Sequence, residues 1–590
     1  MKKTFLLSCL MLAAMPVMAA YTGHVYVDKN KNGVFDQSEK PLAGIKVSDG
    51  LNVVETAADG SFTLPGHERE RFIFITTPSG YKTFNRHYHK IEKKQSGYDF
   101  GLMPYSGRIR KDGSHKYIHI ADTEIFNTEN HEDWVNNVRD YARNEQAAFI
   151  IHTGDICYEK GLKAHIKLMN TENMDCPVFY CIGNHDLVKG KYGEELFESI
   201  YGPVYYSFDA GNVHYVVTPM PGGDHAPGYT SDDVCRWLKN DLAHIRPGTP
   251  VVVFNHDLLT YEDTFIFKSK NAGSINLNEY NLKAWVYGHW HINYMKKQGD
   301  VYSVCTSSLD KGGIDHSTTA FRVMHVDSKG DFTSELRYTY LDKNICIASP
   351  AGVMASGVLP VAVNVYSSVS PVREVLYTCL ADGKPVLKNK RLLQSTDWSW
   401  NGELPLSHKY VGKELTLRVT ARFNNGEIAE AESNFICRTE KTVPLFSADW
   451  DNLSGNAKHS APVSAPLNLP LQLAWTNNVG ANLYMTSPLI HKGKVIVASV
   501  DEDLKGAGHV YALNGKDGTI LWSCPVRNSI KNSIAVDSDI VFAQDAQGFL
   551  YAIDTETGKL CWEKQLPVNG LPALIDGLVA GEGVVYAGTG

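Results

Sequence analysis

After residue 20 the chain opens with short strand-like runs, most of them alternating between apolar and polar residues. These are His24-Val25-Tyr26-Val27, Gly44-Ile45-Lys46-Val47, Ser61-Phe62-Thr63-Leu64 and Phe72-Ile73-Phe74-Ile75, with Gly, Pro and Asp between them. A period of two broken by turn formers predicts a small β-sandwich over residues 21–105. From 110 to 342 apolar strands alternate with helical spacings, as at Trp134, Val138 and Tyr141 or Leu162, Ile166 and Met169. That pattern predicts a layered α/β domain, closed by a strand-rich tail near 320–342. Alternation returns over 345–440, in Val361, Val363 and Val365 and in Leu415, Leu417 and Val419, and predicts a second β-sandwich.

Residues 447–590 repeat themselves. Tyr511-Ala512-Leu513-Asn514 through Asp517-Gly518 to Trp522 returns 40 residues later as Tyr551-Ala552-Ile553-Asp554 through Thr557-Gly558 to Trp562. Such a period predicts propeller blades. The repeat resembles pyrroloquinoline-quinone-like propeller repeats, and Trp475 with Lys494 to Ala498 reads as a degenerate earlier blade. Two and a half blades do not close a ring alone, so truncation or completion by partner chains is expected.

Composition narrows the class. The 590 residues, less a leader, correspond to roughly four domains. With 43% hydrophobic and 21% charged residues, wholesale disorder and a many-span membrane protein are excluded. The formal charge of −8 comes without any basic run, so no nucleic-acid platform is evident. Lys2 and Lys3, the apolar stretch Thr4 to Val17 and the small residues Ala19 and Ala20 have the order of a signal peptide over 1–20. The mature chain is therefore expected in the periplasm, at the cell surface or secreted, with no transmembrane segment. Ten cysteines follow Cys9 without a CxxC pair, so neither a zinc knuckle nor a small disulfide scaffold is indicated.

Two constellations carry chemistry. The first is the loop Asp28 to Glu39, which offers oxygens from Asp28, Asn30, Asn32, the Val34 carbonyl, Asp36 and Glu39, with glycine at its sixth position. Oxygens at that spacing wrap around Ca²⁺. Because a strand precedes it, the segment resembles the calcium-binding B-type β-sandwich repeats of bacterial surface proteins, which implies a structural calcium.

The second spans the α/β domain, where five apolar strands each end in polar residues. They lead to Asp122, to Asp155, to Gly183-Asn184-His185-Asp186, to His256 and to Gly288-His289-Trp290-His291. Ligands in layered α/β folds gather at the carboxyl ends of strands, so these clusters are expected to converge. Singly, each residue fits a cap, a turn or a satisfied core position. Together, two carboxylates, an asparagine and three histidines suit two metal ions among Fe, Zn and Mn, divalent or of mixed valence. Such a pair acidifies a shared water toward a pKa of about 7, supplying the hydroxide that phosphoester hydrolysis needs.

The ordered motifs GD, GNH[DE], a lone H and GHxH resemble the calcineurin-like metallophosphoesterase family. The resemblance implies a dimetal phosphoester hydrolase acting on monoesters or diesters by attack of metal-bound hydroxide. It also implies Asp122 and His291 on one metal, Asp155 bridging, and Asn184, His256 and His289 on the other. His185 would face the phosphoryl group or protonate the leaving oxygen, and Asp186 would orient its ring. The first motif departs from D-x-H, since Asp122-Thr123-Glu124 has Glu where the family has His. Glu124 is one candidate for the remaining ligand. Tyr158 is the other, because Gly154-Asp155-Ile156-Cys157-Tyr158 fits the GDxxY motif of purple acid phosphatases. From a different class comes a surface-associated binding or scaffold protein with a vestigial phosphoesterase domain. In either case an envelope polymer or a partner chain is the expected occupant of the β domains.

Overall fold

The computed structural model describes residues 20–439 except 68, 85, 94 and 96, together with 449–460, 473–568 and 571–589. The expected signal peptide lies outside the described residues apart from Ala20. Among the described residues no helix is long and apolar enough to cross a membrane.

Residues 115–338 form a pair of sheets with helices on the outside. In the first sheet Val178–Tyr180, Phe149–His152 and His115–Ile120 run parallel, and Ala320–Val326 and Phe332–Tyr338 extend it antiparallel. In the second, Val213–Val217, Val251–Phe254, Leu282–Tyr287 and Val301–Cys305 run parallel, with Tyr206–Ala210 and Tyr294–Gln298 at the edges. Strands buried on both faces account for unbroken runs such as Val251-Val252-Val253-Phe254. Aromatic rings fill the space between the sheets. Phe179 stacks on Phe208 with centroids 3.8 Å apart, and Tyr117 stacks on Phe149 at 4.7 Å. This apolar cluster continues past the domain, taking in Phe72, Phe74 and Tyr88 on one side and Ala546 on the other.

The helix Glu132–Asn144 buries Trp134, Val138 and Tyr141, the positions its 3.6-residue period selects. The helix Ser231–Ala243 starts at a capping box between Thr230 and Asp233. It is tied to the second sheet by His214, whose ring lies 2.7 Å from Asp209 and 2.8 Å from Asp241. Burial lowers the His214 pKa, but the Asp241 charge and hydrogen bonds to both carboxylates outweigh it and push the imidazole up to about 9. A pKa raised above the unfolded value of about 6.5 contributes stability fully present below pH 6.5 and lost as pH rises through 9. The wild type should thus lose roughly 3 kcal/mol between pH 6 and 10 in urea unfolding. His214→Gln should lack that loss, and equal slopes in the two proteins would contradict the assignment.

Residues 21–105 form two sheets whose buried faces share Val25, Val47, Leu64, Ile73 and Phe100. A second two-sheet sandwich runs from Asn344 to Arg438 around its own core, including Val361, Val363, Leu417 and Val419. The repeats form two four-stranded blades, Leu489 to Val526 and Ala535 to Gln565, and a hairpin of Val579–Gly581 with Val584–Tyr586. One expectation is corrected here. Lys494–Ala498 pairs with Gly508–Asn514 within the first full blade and is no remnant of an earlier one. Trp475 instead donates to the Gly515 carbonyl and covers Gly518, as Trp522 does to Thr555 and Gly558 one blade later. All ten cysteines from Cys157 onward are free.

Candidate metal centre

The strand ends converge. His256 Nε2 lies 3.1 Å from Asp155 Oδ2 and 3.9 Å from Asp122 Oδ1, and His291 Nε2 lies 3.5 Å from Asp122 Oδ1. Asp155, His256 and His289 bring ligand atoms within 4.8 Å of one another, as do Asp122, Asp155 and His291. Asp155 thus belongs to both groups, the placement a bridging carboxylate requires. Asn184 Oδ1 is buried without a hydrogen-bond partner, and its chain neighbours Gly183 and His185 both abut Asp155. The other His256 nitrogen bonds the Thr153 carbonyl at 2.6 Å, which fixes the ring and turns Nε2 toward Asp155.

The electrostatics favour a cation. Burial lowers the His256 pKa, yet the charges of Asp155 and Asp122 overcome it and push the imidazole up to about 10. Burial and repulsion from Asp155 and Glu124 hold Asp122 well above the usual carboxylate range. The carboxylates together concentrate more negative charge than a dry site tolerates, and positive ions would offset it. The buried donor set of oxygen and imidazole nitrogen fits two transition metals.

Backbone geometry explains how neighbouring side chains reach one point. Asp122, Glu124, Asp155, Cys157, Tyr158, His289 and His291 all have φ between 44° and 71°. Non-glycine residues pay about 1–2 kcal/mol for that left-handed turn, and such costs cluster at functional sites. The motif glycines answer a different need. A Cβ on Gly183 would lie 2.2 Å from Asp155 Oδ1, and one on Gly288 would lie 2.6 Å from Asp122 Oδ2. Backbone and carboxylate approach too closely there for any side chain.

Asp186 does not orient His185. Its buried carboxylate accepts the N–H groups of Asp155, Cys157 and Gly183 at 2.9–3.0 Å, stapling two of the converging loops together. The His185 ring is held instead by Asp224, 2.9 Å from Nδ1, a residue of the loop 220–229. Asp224→Ala should leave folding and metal content intact while lowering kcat roughly 10-fold, less than the roughly 10²–10⁴-fold that loss of an acid–base group itself costs. Unchanged kcat would remove Asp224 from the site.

Glu124 lies beside the first group, with Oε1 3.5 Å from His291 Nε2 and Oε2 2.9 Å from Lys311. Tyr158 is exposed, its ring between Phe126 and His185 with centroids 6.4 and 5.5 Å away. What little burial it has, with nearby Cys157, Asp224, Glu124 and Asp155, raises its pKa.

In the N-terminal loop the carboxylates are already gathered by backbone donors. Asp28 accepts from Asn32 and Gly33, and Glu39 from Lys29 and Asp36. Asp36 Oδ2 accepts from the side chains of Asn30 and Asn32 at 2.7 and 3.0 Å. The exposed Val34 donates its N–H to Asn32 Oδ1.

Comparison with known proteins agrees with this geometry. Residues 115–293 match the family model for calcineurin-like phosphoesterase, and 29–105 match that for the N terminal of calcineurin-like phosphoesterase. Residues 472–590 match a model described as outer membrane protein assembly factor BamB. The chain is 26% identical over 215 residues to purple acid phosphatase 13 of Arabidopsis thaliana, covering 34% of this chain and 36% of that one. It therefore spans about a third of the length of that relative. Among solved structures, a conserved uncharacterized protein of Streptococcus pneumoniae TIGR4, titled a predicted phosphoesterase, aligns at 10% identity and TM-score 0.19. That alignment covers 38% of this chain and 98% of the other. BamB of Moraxella catarrhalis aligns at 12% identity and TM-score 0.13, over 40% and 69%. Residues 115–293 are a calcineurin-like phosphoesterase domain, followed toward the C-terminus by a BamB-like propeller region.

Proposed function

We propose that the protein is an exported hydrolase of phosphoesters that works with two transition metals. The observation that carries this reading is Asp155, shared between two ligand groups. Asp122 and His291 would hold one metal, with Glu124 the better-placed candidate for the remaining ligand, since it lies against His291 and Tyr158 stacks on Phe126. Asn184, His256 and His289 would hold the other. Two bound metals supply Lewis-acid polarisation of the phosphoryl group and a water acidified toward neutral pH.

The chain's own residues do the rest. Asp224 fixes the His185 ring, and the hydrogen bond to that carboxylate followed by the Asp155 charge raises the His185 pKa against partial burial. In its protonated form such a ring can donate its proton to the leaving oxygen. Phe126 and Tyr158, stacked and exposed next to it, offer an apolar face to the organic part of a substrate. Export rests on the order of charged, apolar and small residues over 1–20.

Counting ions per mature chain is the test. Two transition-metal ions and one calcium are expected, with turnover of p-nitrophenyl phosphate or its diester. Glu39→Ala should lose only the calcium and lower Tm only when calcium is present. A chain that takes up no transition metal after reconstitution would favour the binding-protein reading.

A further inference from the structure

The propeller is built into the metal centre. His291, in its left-handed turn, has its carbonyl capped by the Ile314 N–H at 2.9 Å. The loop 313–317 that supplies this donor is closely packed, since a Cβ on Gly313 would lie 2.9 Å from the His291 carbonyl and 2.2 Å from Asp315 Oδ1. Asp315 braces the loop by accepting from Ser317 N and Oγ. Its second oxygen is paired with Lys531, which comes from the connection between the two full blades. Lys531 Nζ also donates to the Asn293 carbonyl at 2.7 Å, two residues beyond His291, and pairs with Glu502 of the first blade. The side chains of Lys531, Asp315 and Glu502 are 1%, 0% and 4% exposed. Around them Arg322 donates to the Glu502 carbonyl at 2.9 Å, and Asn528 donates to the Met295 carbonyl at 3.1 Å.

We infer that Lys531 is a positioning residue for His291, so that the propeller is needed to form the first metal position. This rests on the two-metal reading above. A buried ammonium between two carboxylates has one satisfying geometry, and a rigid grip on both sides of residues 291–293 sets where the imidazole stands. Lys531 would touch neither metal nor substrate.

The experiment uses the full chain with Lys531→Met and Lys531→Arg. In Lys531→Met one of the two transition-metal ions should dissociate at stoichiometric metal and return in excess. kcat should fall at least 10-fold at stoichiometric metal, with KM changed less than 2-fold. Lys531→Arg should restore most of the loss. Amide exchange at 289–295 and 313–317 should quicken at least 10-fold while the 345–440 sandwich stays unchanged. If Lys531→Met fails to fold, the neutral variant Lys531→Met/Asp315→Asn/Glu502→Gln decides, and the same losses are expected of it. Two tightly held ions with wild-type exchange in the folded variant would overturn the inference. A wild type that binds no transition metal would instead sink the two-metal reading, and the exchange result would still judge whether Lys531 holds the His291 turn.

Discussion

Asp155→Asn is expected to strip both metals from the chain and lower turnover by roughly 10³-fold or more, with the fold intact. The carboxylate is the one group common to both ligand sets, and an amide can offer an oxygen to one ion but no negative charge to two. Folding should survive, because the substitution removes the repulsion between Asp155 and Asp122, and His256, whose proton the Asp155 charge favours, can then stand neutral. The Oδ1 that accepts the His185 N–H at 3.0 Å has an amide oxygen as its replacement. Metal analysis beside circular dichroism and kcat reads the outcome. Two retained ions with wild-type turnover would dismiss the bridging role.

Gly183→Ala is the second large effect, and it is steric. The added methyl would sit 2.2 Å from Asp155 Oδ1 and 2.3 Å from Asp155 N, so carboxylate or backbone must move by about an ångström. Displacement of that size at a reacting centre costs about 100-fold in rate. Overpacking costs about 1–3 kcal/mol of stability besides. Gly222→Ala serves as a control, since nothing lies within 4 Å of its Cβ position. Equal kcat in the two variants would show that the glycine of the GNH motif is dispensable.

The convergence of Asp122, Asp155, His256, His289 and His291 was legible because each follows an apolar strand, and parallel strands deliver their ends to one rim. The left-handed turns that aim these side chains were not, since Asp, Glu, His and Tyr in that conformation carry no glycine to mark it. Sequence adjacency misled at Asp186. Successive side chains point apart, and the partner of His185 came from a loop 39 residues away. The blades were read from a motif that straddles their last two strands, so the first full blade was divided in the reading. Lys531 and Arg322 were invisible for a general reason. A lysine in a polar stretch, or an arginine flanked by apolar residues on a strand, looks solvated until a second domain is seen to cover it.

The apolar cluster between the catalytic sheets draws Phe72, Phe74 and Tyr88 from the N-terminal sandwich and Ala546 from the propeller. Three stretches of chain that repeat counting and alternation separate as modules thus have one interior in common. They should lose structure together on denaturation, and excising residues 21–105 would strip cover from the phosphoesterase core itself. The 345–440 sandwich takes no part in that cluster: its interior lies around Val363 and Leu417, and it meets the phosphoesterase sheet through the smaller contact of Tyr366 with Leu336 and Tyr338. Recombination between relatives would accordingly spare the first three as a block and shuffle the fourth.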